Sequence, residues 1–329
     1  MAQVVLGIGT SHSPLLSISA RRWPDWAARD VLRTDLADED GISRTYEELQ
    51  AVVGERLSDE LGLAVLEGKQ ARCNAALEVL RRRIVEAELD AMIVVGDDQT
   101  EHLHPDNLPA MLVYHGDTVR NTRAEFPPDV TETDRERILG YFEPDGDVDY
   151  PVAVPLAEHL IEHLLDQHFD VAASNALPKA RAEGHAHQFP HRRLLDEALA
   201  VVPVLINTYV PPTQPRAARC YDLGLAIAEG IESFAGNDMR IGVLASGGLS
   251  HFVVWERFDR AFLDALGRGD RAFLSELPER LLQSGTSEIK CWITAAAVCR
   301  GLSFETVDYV PGYRSSAGTG VGLAFGMWR

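Results

Sequence analysis

The sequence predicts an α/β fold: a single domain whose central sheet, mostly parallel or mixed, is flanked by helices, with the active site at the carboxyl ends of the strands. Three observations lead there. Short apolar runs recur at Val4–Ile8, Ala91–Val95, Val201–Ile206 and Arg240–Ala245, of a length that suits buried strands better than helices. Three of these runs end in small residues followed by ligand-capable ones: Gly9-Thr10-Ser11-His12, Gly96-Asp97-Asp98-Gln99 and Ser246-Gly247-Gly248-Leu249-Ser250-His251. In open α/β sheets, ligands sit just beyond such strand ends. Amphipathic helical segments alternate with the runs, and no repeat, low-complexity stretch or linker divides residues 1–329, which therefore read as one catalytic domain.

The first strand closes on His12-Ser13-Pro14, a Pro-directed turn. Residues 20–40 are irregular, with Trp23 and Trp26 as packing anchors. Thr45-Tyr46-Glu47-Glu48 fits a capping box and opens a helix to about Leu57. A second helix is expected from Leu63 to Ala87, with Cys73, Leu77, Leu80 and Ile84 at helical spacing and Arg81 to Arg83 on a solvated face. After the strand Ala91–Val95 comes another at Ala110–Tyr114, and then a polar excursion over the surface from Arg120 to Asp149. Pro155–Phe169 is an amphipathic helix, Asp170–Ser174 a short strand, and Pro178–Arg193 a loop carrying His185, His187 and His191. Val201–Asn207 is a strand stopped by Pro211-Pro212, and a helix runs from about Pro215 to Ser233. After Arg240–Ala245, a helix opens near Glu288 and continues to Arg300; Gly318–Phe325 closes the chain as a last strand.

Composition narrows the function. With 50 Asp and Glu against 31 Lys and Arg, the net charge is −19. Such a surface repels phosphate backbones and anionic lipid, which argues against nucleic-acid and membrane-surface roles. No apolar run approaches the roughly 20 residues that span a bilayer, and the first residues lack the basic flank of a signal peptide. The four cysteines are dispersed without CxxC pairing, as expected for reduced, buried thiols in a cytoplasmic protein.

His12, the Gln99/Glu101 cluster, His251 and Glu288 all fall at strand ends or a helix start, where they are able to converge; His185 is a further candidate. Two histidines and a carboxylate with open positions suit non-haem Fe(II) that activates O2, and histidines beyond the metal serve as base and acid near neutral pH. Zinc hydrolysis uses similar groups. His159-Leu160-Ile161-Glu162-His163 also matches the HxxEH zinc-peptidase pattern, but His159 and Glu162 sit opposite the leucine stripe of their helix, so a solvated acidic face is the better reading.

Several of these segments resemble one family. Ser11-His12-Ser13-Pro14-Leu15, Gly247-Gly248-Leu249-Ser250-His251, Glu288-Ile289-Lys290-Cys291-Trp292, and His185 placed five residues before Pro190 are similar, in the same order, to the motifs of type III extradiol ring-cleavage dioxygenases, the superfamily of the protocatechuate 4,5-dioxygenase β subunit. The resemblance implies an Fe(II)-dependent enzyme that opens a catechol- or gallate-type ring with O2. It implies His12 and Glu288 as metal ligands, and His185 and His251 as catalytic residues. Where close relatives carry Asp-His after the second strand, this chain has Asp98-Gln99, leaving Gln99 and Glu101 as competing candidates for the third metal position. That departure, with an insert over about residues 17–66, is similar to the subfamily of 3-O-methylgallate dioxygenases. Thr208, Tyr209, Arg181, Arg192 and Arg193 are candidate substrate-shell groups under the same resemblance, which also implies a homo-oligomer, with or without a small second subunit. A metal-dependent hydrolase and a non-catalytic binding protein on the same fold remain the alternatives at this stage.

Overall fold

Four apolar strands without a polar face have to be covered on both sides, and that requirement decides the architecture. The computed structural model describes residues 1–177, 182–235 and 238–329. In chain order its elements are β1 (Gln3–Thr10), α1 (Trp23–Ala27), α2 (Tyr46–Val53), α3 (Leu63–Glu86), β2 (Ala91–Asp97), β3 (Met111–Tyr114), β4 (Thr118–Asn121), α4 (Glu132–Tyr141), β5 (Val148–Pro151), α5 (Val154–Asp166) and β6 (Ala172–Ser174). There follow α6 (His185–Arg193), β7 (Ala200–Ile206), α7 (Ala217–Ser233), β8 (Arg240–Ser246), β9 (His251–Val253), α8 (Glu256–Arg268), α9 (Arg271–Ser275), α10 (Ile289–Val298), β10 (Phe304–Tyr313) and β11 (Thr319–Trp328).

The main sheet runs β10-β11-β1-β8-β2-β7-β3-β6, with β9 paired to β11. Its centre, β1-β8-β2-β7, is parallel, while β11 and β3 join from either side antiparallel. This is the single-domain, mixed α/β sheet between helices that the sequence predicts. Along β2 the side chains alternate: Ala91, Ile93 and Val95 pack with α5, α7 and α10, whereas Met92 and Val94 pack with α3 on the other face. Two cores therefore sandwich the sheet, and the parallel strands end together. Thr10 lies beside Ser246, Ser246 beside Gly96, and Asp97 beside Ile206.

The expected elements mostly appear with their ends shifted by a few residues, and the capping box at Thr45 and Glu48 forms with both of its hydrogen bonds. Three segments differ. The excursion at 120–149 contains the β4–β5 ladder and α4, and it buries Asn121, Tyr141, Glu143 and Tyr150. The buried polar residues are paired: Tyr150 Oη donates to Glu143 Oε1 (2.6 Å) and Arg192, from α6, to Glu143 Oε2 (2.9 Å). The expected loop at 185–193 is the helix α6, whose first amide, His185 N, donates to the Glu101 carboxylate (3.0 Å). A partner 84 residues away supplies what a local capping residue would otherwise give. Residues 304–313 form a full strand whose alternation is broken by a register shift between Thr306 and Asp308. Of the earlier candidates, Arg181 lies outside the described residues.

Residues 17–66 wrap one end of the sheet as short helical turns and are pinned by a buried ion pair. Arg314 Nε and Nη2 reach Asp30 Oδ2 and Oδ1 at 2.7 and 2.8 Å, and Thr319 Oγ1 donates to the same carboxylate at 2.5 Å. Both side chains are about 2% exposed. Removing one partner strands a buried charge, which costs about 3–5 kcal/mol. Arg314→Met is therefore expected to lower the denaturant midpoint by an amount equivalent to that loss; a change below 1 kcal/mol would show that the pair does not hold residues 17–66 in place.

Candidate metal centre and active-site cavity

At the carboxyl edge of the parallel centre, four side chains turn toward one another. His12 follows β1, Asp97 ends β2, His185 opens α6, and Glu288 precedes α10. One ligand atom from each lies within 4.8 Å of all the others. Among the described residues this is the one such group able to hold a metal ion. Each member is aimed by a second contact. His12 Nδ1 meets Ser246 Oγ at 3.0 Å, which leaves Nε2 facing Glu288 Oε2 at 3.2 Å. The Tyr141 hydroxyl donates to the His12 carbonyl. His185 Nδ1 sits 2.7 Å from Glu101 Oε2, so its Nε2 faces the cluster, 3.7 Å from Asp97 Oδ2. Glu288 Oε2 accepts from Gly248 N at 2.6 Å, and His251 Nε2 approaches Glu288 Oε1 at 2.9 Å. Partners of this kind fix ring orientation and tautomer at metal sites.

The packing around His251 is as tight as a side chain allows. Its Nδ1 lies 2.8 Å from the Leu249 carbonyl, and a Cβ added to Gly285 would come within 2.0 Å of its ring. Only glycine at position 285 lets the ring lie where it does.

Electrostatically the cluster is divided. Burial, and then the neighbouring Glu288, push the Asp97 carboxyl up to about 6. Burial opposes ionisation of Glu288 too, but His251 and His12 outweigh it and hold that carboxylate well below its usual range. Burial works against charge on His185, yet Glu101 and then Asp97 raise it to about 10. The reciprocal attraction of His185 overcomes desolvation at Glu101 and holds it at about 2. The arrangement fits a divalent ion: Asp97 Oδ1 is buried with no hydrogen-bond partner among the described residues, while imidazole nitrogens and a second carboxylate stand around it.

The other sequence candidates divide into two sets. Gln99 lies over the cluster, its amide nitrogen 3.2 Å from Asp97 Oδ2, 3.3 Å from Glu288 Oε1 and 3.4 Å from His185 Nε2. Glu101 spends its two oxygens on the backbone and ring of His185. Both, with His12, His185, His251 and Glu288, line a cavity of about 490 Å³, a suitable size for a small aromatic molecule. Thr208, Tyr209 and Arg192 do not line it. Thr208 is buried past the end of β7, its carbonyl accepting from Gln214 (2.6 Å), and Arg192 is turned onto Glu143. Arg193 donates to the Leu16 carbonyl. The HxxEH motif lies elsewhere, on α5: Glu162 is exposed, as expected of a solvated face, whereas His159 is half-buried against α7, its Nε2 contacting the Gly230 carbonyl (3.0 Å) and Ser233 Oγ (3.1 Å). Asp97 is the member the sequence reading passed over. It occupies the last position of an apolar strand, just before a cluster of more exposed polar residues, and its burial on the sheet edge has no local signal.

Residues 61–324 match the family described as the catalytic LigB subunit of aromatic ring-opening dioxygenase. A gallate dioxygenase of Pseudomonas putida is 38% identical over 73 residues, which is 20% of this chain and 21% of the relative, so the match spans about a fifth of that protein's length. The crystal structure of an uncharacterized protein from Escherichia coli K12 overlays with a TM-score of 0.44 at 13% identity, covering 76% of this chain and 91% of the other.

The Glu101–His185 pair has a consequence for stability in metal-free protein. The raised histidine contributes stability fully present below the ordinary value of 6.5 and lost as pH climbs through about 10; the lowered carboxylate contributes stability present above 4.5 and lost as pH falls through about 2. Thermal melts of chelator-treated Glu101→Gln against the parent should therefore differ most between pH 4.5 and 6.5 and converge above about pH 10. A difference independent of pH would mean that the two groups are not coupled.

Proposed function

The chain belongs to the family of the catalytic LigB subunit of aromatic ring-opening dioxygenases, and from that premise we propose that it is an Fe(II)-dependent extradiol dioxygenase acting on a catechol- or gallate-type ring. The observation that carries the reading is the largely buried set of His12, Asp97, His185 and Glu288, three of which, His12, His185 and Glu288, line a cavity large enough for one substituted ring. His12, Asp97 and Glu288 would hold the ion. Asp97 is preferred to Gln99 and Glu101 as the third ligand because its Oδ1 has no hydrogen-bond partner among the described residues, only His12 Nε2 at 3.7 Å, because Gln99 presents its amide nitrogen to the carboxylates, and because Glu101 is engaged by His185. When bound, Fe(II) supplies Lewis acidity to the diol oxygens and the electron exchange that activates O2.

The protein's own groups then divide the proton chemistry. His251 lines the cavity with Nδ1 against the Leu249 carbonyl and Nε2 against Glu288 Oε1 (2.9 Å); with Glu288 engaged by a bound ion, this Nε2 would take a phenolic proton from the incoming diol. His185, held cationic by Glu101, points an Nε2–H toward the same space and returns a proton to an oxygen as the ring opens. Gln99 spans Asp97 and Glu288 and fixes their mutual orientation. Trp26, Tyr141, Phe142 and Phe252 give the cavity aromatic and apolar walls that restrict water near the reacting ring.

Anaerobic loading with Fe(II), followed by oxygen uptake on a panel of catechols and gallates, tests this. Asp97→Asn and Glu288→Gln should fail to retain iron after gel filtration. His251→Ala should retain it and turn over about 100- to 10,000-fold more slowly. An Asp97→Asn protein that keeps a full complement of iron would remove Asp97 from the ligand set. A loaded parent protein that consumes no oxygen on any ring diol would overturn the function.

A further inference from the structure

The lining of the cavity is rich in arginine, unexpectedly so for a chain of net charge −19. Arg29, Arg33, Arg137 and Arg314 line it together. Three of these are already committed to carboxylates. Arg33 grips Asp35 through Nε and Nη2 at 2.8 and 2.6 Å, Arg314 grips Asp30 the same way, and Arg29 gives Nη2 to both Asp134 oxygens at 3.0 and 2.8 Å while lying over the Trp26 ring. Arg137 is different. Its nearest carboxylate oxygen is Asp134 Oδ1, 3.6 Å from Nε, too long for a hydrogen bond, and Nε is buried without a hydrogen-bond partner among the described residues. Asp134 is already engaged, since Arg29 and the Thr131 hydroxyl both donate to its carboxylate.

Position adds to this. Arg137 and Tyr141 are four residues apart on α4 and so share a face. The Tyr141 hydroxyl bonds the His12 carbonyl, and its ring lies 6.5 Å from that of His185. Four residues of helix rise about 6 Å, comparable to the span from the diol edge of a single aromatic ring to a substituent on its far side.

We propose that Arg137 is a specificity-determining residue: it receives a carboxylate carried on the ring opposite the hydroxyls, so that the cavity selects anionic ring diols over uncharged ones. The inference rests on the ring-opening reading above, because the diol must face the metal centre for the carboxylate to reach α4. A planar guanidinium matches a carboxylate in two parallel hydrogen bonds.

Anaerobic titration calorimetry of the Fe(II)-loaded protein with gallate and with pyrogallol, its counterpart lacking the carboxylate, reads this without turnover. The parent should bind gallate more tightly than pyrogallol. Arg137→Met should weaken gallate about 10- to 100-fold while leaving pyrogallol within about twofold, and Arg137→Lys should recover part of the loss. In oxygen-uptake assays the change should appear as a raised KM for gallate. Equal weakening of both ligands, or of neither, would overturn the proposal, as would a parent protein that does not prefer the carboxylated ring. The outcomes also separate this inference from its premise. A charge-dependent loss of gallate binding without oxygen uptake leaves the anion anchor standing and removes the dioxygenase, whereas turnover of both diols unaffected by Arg137→Met does the reverse.

Discussion

Two carboxylates, Asp97 and Glu288, are buried within reach of each other at the edge of the sheet, and much of the surrounding structure answers that constraint. In a low-dielectric interior, neighbouring negative charges repel strongly and have lost their water. The protein meets this with His12 and His251 on Glu288, a main-chain amide from Gly248, and the Gln99 amide across both acids. Asp97 receives less, and its raised pKa is the residue of that imbalance. A divalent cation would relieve the remainder. The same site is thus tense as a protein alone, and a bound ion would satisfy it.

Backbone placement does the rest. Because β1, β8, β2 and β7 are parallel neighbours, their carboxyl ends bring His12, Gly247-Gly248 and Asp97 side by side with little help from loops. The two donors that do not come from these strands are carried at helix starts, His185 at the start of α6 and Glu288 just before α10. Glu101 joins the strand set to the helix set: it holds the first amide of α6 and the ring of His185 at once. A residue with no direct place in the metal group decides how one of that group's members is presented.

Much of this was legible in the sequence, for identifiable reasons. Apolar runs ending in glycine and histidine marked the parallel centre, since both the burial of such strands and the location of ligands at their ends follow from general physics. His12, His185, His251 and Glu288 were found because histidines and a carboxylate at element boundaries are chemically conspicuous. Asp97 was not, because an acid closing a hydrophobic strand reads as the first residue of a polar turn until the neighbouring strands show it to be buried. Helix α6 was missed for a related reason: its capping group is Glu101, and no local window contains it. The buried polar network of Asn121, Glu143 and Tyr150 likewise reads as solvent-facing until its partners are brought together.

The four donor residues stand at positions 12, 97, 185 and 288, so that the centre draws on almost the entire length of the polypeptide. No contiguous fragment short of most of the chain contains it, and no subdomain could acquire or exchange it as a cassette. During synthesis the centre cannot close until the last of its contributors has emerged and the sheet has formed around β1. Occupancy by an ion would be for this protein a report on the completeness of its topology.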